Sequence, residues 1–228
     1  MEAAATREAL LDAALRVFRE HGVARTTLAE IAAAAGLTRG AVYWHFRDKT
    51  DVFTAMCDRV QLPMEATLAQ VGVARNEDPL AALRGVAVAA LVQLATDPAV
   101  QAVFDVIFHK CEFAAEFAAI AARRHTTDSA CHLSVERVLQ QAVAKRQLPR
   151  DTDTRVAALG MNAFMVGLMH QWVQLPAAYD LERAAPQMVE LFLAGLRAAP
   201  PRLSKPPRRA AARSGTIGLS QPQPARAT

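Results

Sequence analysis

Apolar residues along this 228-residue chain recur at helical intervals, and no alternating strand pattern is found. From about Thr6, the positions Leu10, Leu11, Ala14, Leu15, Val17 and Phe18 form one wide stripe, which Gly22 ends. Two short helices are expected over about 28–35 and 39–46, followed by a long one over about 49–73 with Asp48 near its start. Pro63 lies inside that long segment and should kink it or shift its register. Five further helices are predicted at about 78–95, 98–110, 112–146, 152–175 and 185–198. The breaks between them pair a proline with a capping residue, and Pro186 suits a first turn. The expected fold is all-α with about nine helices.

The segment from Thr26 to Lys49 carries the densest information. Thr27 and Glu30 have the spacing of a capping box, and Gly36 can take the positive φ that ends a helix at Ala35. Thr38 is a second N-cap candidate. Ile31, Leu37, Val42 and Phe46 can face inward, which leaves Thr38, Arg39, Gly40, Tyr43, Trp44 and His45 nearer solvent. Two helices joined by a short turn make a helix-turn-helix, whose second helix enters the major groove of DNA. Arg39 could read base edges, Gly40 and Ala41 permit close approach, and Tyr43, His45 and Lys49 could bond phosphates.

Composition narrows the alternatives. The formal charge is +4, but residues 200–228 hold six Arg/Lys and no acid, so residues 1–199 carry 20 basic against 22 acidic groups. Residues 25–49 hold four basic and two acidic groups. DNA affinity of the folded part must therefore come from a focused patch rather than from bulk charge. No run of about eighteen apolar residues is free of charge, so no membrane span is expected. The acidic start MEAAATREALLD lacks the features of a signal peptide, which points to the cytoplasm. Cys57, Cys111 and Cys131 read as reduced thiols, and neither His109 with Cys111 nor Cys131 with His132 makes a two-ligand clamp on a helix. No metal or cofactor is expected. The six histidines are scattered, and no nucleophile with an aligned base is evident, so the chain does not read as an enzyme.

Gly22, Thr26, Thr27, Ile31, Ala32, Ala35, Gly36, Thr38, Gly40, Tyr43, His45, Phe46 and Lys49 together match the pattern of the N-terminal domain of TetR-family repressors, which the chain resembles. The run Arg39–Phe46 and the segment Phe108–Phe113 are closer still to the AcrR-like branch, repressors of multidrug efflux pumps. The resemblance spans roughly residues 6–197. The Pro-, Arg- and Ala-rich composition from Pro200 predicts a disordered basic tail over 200–228, and the resemblance implies a DNA-binding domain over 1–48 and a helical ligand-binding and dimerisation domain over 49–199. It places the DNA face at Thr26, Thr27, Thr38, Arg39, Gly40, Ala41, Tyr43, Trp44, His45 and Lys49. The partners implied are double-stranded operator DNA, a small apolar or amphipathic inducer and a second copy of the chain.

The helix near 152–175 has two distinct faces. Gly160, Ala163, Phe164, Gly167 and Gln171 share one, which suits subunit packing; Asn162, Met165, Val166 and Met169 share the other, which suits an interior cavity. Val189, Phe192, Leu193 and Leu196 add a seam on the last helix, and the family resemblance makes the two helices half of a four-helix dimer interface. The same resemblance implies Leu83, Val86, Ala90, Phe104, Ile107, Phe108, Cys131 and Val135 as companions around the cavity. Phe104, Phe108 and Val166 stand where similar proteins can have polar groups, so the expected ligand is apolar, with Asn162 supplying one hydrogen bond. The expected function is a ligand-responsive repressor of a multidrug efflux operon. The alternative is the same fold sensing a metabolite, an acyl-CoA or an oxidant and controlling a metabolic operon.

Overall fold

A computed structural model describes the chain over residues 2–110 and 118–203. Within that range the elements are α1 (Glu2–His21), α2 (Leu28–Ala34), α3 (Arg39–His45), α4 (Lys49–Val73), α5 (Pro79–Thr96), α6 (Pro98–Asp105), α7 (Ala118–Ala144), α8 (Thr154–Gln174) and α9 (Leu181–Ala198). A π-helical turn, Val106–Lys110, continues α6, and a 3₁₀ turn, Pro176–Ala178, precedes α9. The all-α expectation is met.

Aspartates start most of the later helices. Asp48, Asp78, Asp97, Asp153 and Asp180 each accept a backbone N–H of the following turn, placing a carboxylate at the positive end of the helix dipole. This corrects the expected start of the last helix near Ala185. Asp180 caps it at Leu181, and Pro186 lies inside the helix rather than in its first turn. Helix α4 runs through Pro63 as one element, and the Thr67 hydroxyl donates to the Pro63 carbonyl at 2.9 Å. The start expected at 112 for the seventh helix, together with Cys111, lies outside the described residues.

Helices α1, α2, α3 and the beginning of α4 make a small N-terminal unit. Leu10, Leu11, Phe18, Ile31, Val42, Phe46, Phe53 and Met56 fill its core, with Phe18 edge-on to Phe53 at 6.0 Å between centroids. Helices α5 to α9 and the rest of α4 form the larger bundle, in which α4 packs on α7, α5 on α9, and α7 on α8. The apolar cluster is continuous across both parts.

The seam on α9 is a second correction. Val189, Leu193 and Leu196 are buried within the protomer, where α9 packs on α5, and are not free to join a partner. A third correction concerns the tail. Residues 200–203 are docked: the Asp153 N–H donates to the Pro201 carbonyl at 2.8 Å, and the Leu203 N–H to the Asp151 carbonyl at 2.9 Å. Residues 204–228 lie outside the described residues. By length and composition alone, α5 and α8 could cross a membrane, but both are built into the bundle.

The far end of α4 is fastened to α7 at close range. A Cβ on Gly72 would come within 3.1 Å of the Ser134 carbonyl oxygen, and Gln141 Nε2 donates to the Gly72 carbonyl at 2.9 Å. Asn76 Nδ2 bridges the Val71 carbonyl and Gln141 Oε1 at 2.8 and 3.0 Å. Gly72→Ala should therefore destabilise the fold by about 1–3 kcal/mol, because a backbone atom rather than a flexible side chain must move. Gly85, exposed on α5 with nothing near its Cβ position, provides the control. Gly85→Ala should be neutral or stabilising by about 0.5–1 kcal/mol. Thermal and urea unfolding of both variants checks the contrast.

Candidate DNA-binding face and ligand cavity

Local chemistry sets the geometry of α2 and α3. The Thr27 hydroxyl accepts the Glu30 N–H at 3.2 Å, while Glu30 Oε2 accepts the Thr27 N–H at 2.7 Å, completing the capping box. The Thr27 N–H first, and then the Thr27 hydroxyl, which donates to Glu30 Oε2 at 2.9 Å, hold the Glu30 carboxyl below its usual range. Gly36 takes φ +69°, and the Leu37 N–H reaches back to the Ala32 carbonyl at 2.9 Å, which closes α2 and turns the chain. Thr38 Oγ1 then accepts the Ala41 N–H at 3.3 Å and starts α3.

This turn fixes which side of α3 faces out. Val42 and Phe46 are buried, whereas Thr38, Arg39, Gly40, Tyr43 and Trp44 are exposed, Trp44 at 76%. The Arg39 guanidinium lies 5.8 Å from the Tyr43 ring centroid, and the Trp44 and His45 rings meet edge-on at 4.9 Å. Ala41 and His45 are half-buried. A Cβ on Gly40 would only touch Thr38 Oγ1 at 3.9 Å, so nothing inside the fold demands glycine there.

Two residues expected on this face have other work. Thr26 is buried, and its hydroxyl donates to the Gly22 carbonyl at 2.8 Å, so it stabilises the turn after α1. Lys49 is half-buried, and its Nζ donates to the Ala24 carbonyl at 2.7 Å, bracing the start of α4 against that turn. Thr27 is exposed, but its hydroxyl is engaged in the capping box.

The larger bundle holds a partly open cavity of about 170 Å³ between α4, α5, α6, α7 and α8. Ten of the twelve expected residues line it: Leu83, Val86, Ala90, Phe104, Cys131, Val135, Asn162, Met165, Val166 and Met169. Ile107 and Phe108 do not. In an α-helix both would lie over Phe104, but the i→i+5 bonding of the π turn adds a residue and rotates them away. Ile107 is buried in the core, and Phe108 packs edge-on to His170 at 5.1 Å. Ala87, Met161 and a full face of α4, comprising Gln61, Met64, Glu65 and Leu68, complete the lining. The spacing of those α4 residues was a readable helical face, but only the fold shows that it looks inward.

The cavity and the N-terminal unit are physically joined at two places. One is α4 itself. The other is α6, where Phe104 faces the cavity and the Lys110 carbonyl, at the end of the π turn, accepts the Val23 N–H at 3.0 Å. Arg19 on α1 also reaches Asp105 at 3.3 Å, and Asp105 holds His109 Nδ1 at 3.0 Å.

Opposite the cavity, α8 exposes Val156, Leu159, Gly160, Ala163, Gly167 and Gln171. Phe164 is half-buried and stacks on Phe192 of α9 at 5.2 Å, and the two side chains join the helices beneath that surface. The outer side of α9 exposes Leu191, Ala194, Gly195 and Ala198. Among the described residues, no cluster of three or more His, Cys, Asp or Glu could hold a metal ion.

Two family models cover these parts. Residues 10–56 match the model of bacterial regulatory proteins of the tetR family, and residues 78–198 match the C-terminal region of MAATS-type transcriptional repressors. The chain is 35% identical over 192 residues to the transcriptional regulator AcrR of Shigella flexneri, covering 84% of this chain and 89% of AcrR. It is 36% identical over 200 residues to the regulator TtgR of Pseudomonas putida, covering 87% and 95% respectively. Its structure is similar to that of SmeT, the repressor of the Stenotrophomonas maltophilia multidrug efflux pump SmeDEF, with a TM-score of 0.73, 33% identity and coverage of 86% of this chain and 92% of SmeT. A complex of SmeT with triclosan is similar at a TM-score of 0.77, with 32% identity and coverage of 89% and 98%. The chain therefore belongs to the TetR family of bacterial regulatory proteins, with a C-terminal region of the MAATS repressor type.

Proposed function

We propose that this protein acts in the cytoplasm as a homodimeric repressor of a multidrug efflux operon and leaves its operator when an amphipathic ligand fills the cavity. The observation that carries this reading is the dual service of α4. Its first turns pack in the DNA-binding unit, while Gln61, Met64, Glu65 and Leu68 form a cavity wall. A ligand that changes the wall therefore acts on the helix that aims α3. The relatedness to SmeT, whose described role is repression of an efflux pump, supports the choice of operon.

On DNA, Arg39 reads base edges, Gly40 lets the backbone approach, and Tyr43, Trp44 and His45 secure the phosphate backbone and groove wall. Two copies place their α3 helices in successive major grooves, roughly 34–36 Å apart, so the operator is a near-palindrome. The dimer forms through Gly160, Ala163, Gly167 and Gln171 of α8 and the Leu191 side of α9. Positions Gly167 and Gly195 have nothing of their own chain near a Cβ, leaving that room for a partner.

Fluorescence anisotropy with duplexes from the protein's own promoter tests the DNA reading. Arg39→Ala should cost about 1–3 kcal/mol against the operator and little against random duplex. Tyr43→Ala should weaken both alike. Equal affinity of the wild type for operator and random duplex across a salt series would remove the repressor reading. Ala163→Glu tests the dimer: it should sediment as a folded monomer at micromolar concentration, because a carboxylate would be desolvated against its mate. An unaltered dimer would place the interface elsewhere.

A further inference from the structure

Residues 200–203 lie beyond the C-terminal family match, which ends at residue 198, yet they are fixed to the body. Pro200 is buried as the chain leaves α9. Thr152 and Arg202 then pair as an antiparallel bridge, flanked by the Asp153 N–H on the Pro201 carbonyl and the Leu203 N–H on the Asp151 carbonyl. The Arg202 guanidinium adds an ion pair to Asp151. The Asp153 carboxylate caps α8 by accepting the Val156 N–H at 3.1 Å, so this strap joins the end of α9 to the start of α8.

The strap holds an apolar side chain in solvent. The Thr152 side chain is buried, and its hydroxyl donates to the Pro149 carbonyl at 2.7 Å. Neighbouring residues of a paired segment face opposite ways, so the next pair, Asp151 and Leu203, faces out, and Leu203 is 59% exposed. Val156 and Leu159, also exposed, lie in the first two turns of α8, at the same end of the helix. A stable dimer needs about 800 Å² from each partner. Gly160, Ala163, Gly167 and Gly195 permit close approach but supply little apolar area, so larger side chains around them must provide it.

We propose that the strap is part of the dimer surface, where Leu203 packs with Val156 and Leu159 against a second copy of the chain. This rests on the reading of α8 and α9 as the interface and deepens it with a contact outside the family match. The backbone bonds of the strap order it before any partner arrives, so covering the leucine costs little further conformational entropy. The same bonds tie together the two helices that meet the partner, at the end where both are joined to the strap.

Sedimentation of the full chain over nanomolar to micromolar concentrations gives the dimer dissociation constant and provides the test. Leu203→Ser should weaken the dimer about tenfold, the loss expected when most of a leucine side chain is no longer buried at an interface. Val73→Ser, which alters a still more exposed apolar residue at the end of α4, should leave the dimer unchanged. In the Ala163→Glu background, expected to be monomeric, Leu203→Ser should not shift the melting temperature read by circular dichroism. A lower melting temperature there would mean that Leu203 packs within its own protomer, and overturns the inference. An undiminished Leu203→Ser dimer also overturns it, whatever else covers the leucine, residues 204–228 of the same chain included. An Ala163→Glu protein that stays dimeric sinks the reading of α8 and α9, and the sedimentation of Leu203→Ser then decides the strap contact alone.

Discussion

Everything in this molecule depends on α4 being one continuous helix shared by two packed units. Val52, Phe53 and Met56 belong to the core around α1 and α3, and a few turns later Gln61, Met64, Glu65 and Leu68 face the cavity. At its end, Gly72 brings the backbone so close to Ser134 that a methyl group there would force the Ser134 backbone to give way. Close-packed interiors of this kind do not deform smoothly, so a change in the cavity wall must be accommodated by moving a helix. With Gly72 anchored, the proposed mechanism has the other end, which carries the DNA-binding unit, respond.

A second connection makes that answer directional. The N-terminal unit also rests on the π turn, where the Lys110 carbonyl receives the Val23 N–H. Phe104, one helical segment earlier, is part of the cavity wall. A π turn interrupts the regular hydrogen-bond ladder and so is a natural place for a helix to change its winding. The DNA-binding unit is thus held by two helices that both touch the same cavity, and under the proposed mechanism a ligand that alters their relative positions would reorient it.

The parts governed by short-range chemistry were legible in the sequence. The Thr27–Glu30 box, Gly36 and Thr38 each act within four residues, and the structure contains the capping box, the positive φ at Gly36 and the Thr38 cap. The two faces of α8 were legible because a 100° period survives any packing arrangement. What depends on tertiary neighbours was not. The strongest apolar stripe on α9 was assigned to a partner, but Val189, Leu193 and Leu196 are buried by α5 of the same chain, and the surface left over consists mainly of small residues. Ile107 and Phe108 were misplaced because a π turn leaves no mark in hydrophobic periodicity. Thr26 and Lys49 match a motif that does not separate DNA contacts from supports, and both build the turn behind the DNA-binding face. The cavity face of α4 was missed because that helix serves several partners in succession, and its apolar positions form no single stripe.

The central claim is that occupancy of the cavity and the geometry of the DNA-binding unit are one equilibrium. Operator affinity measured with and without saturating triclosan, the molecule held by the similar protein SmeT, beside triclosan affinity measured with and without operator, addresses it directly. The account predicts that each weakens the other by the same factor, about fivefold or more. A ligand shown by titration to fill the cavity while operator affinity stays unchanged would contradict it.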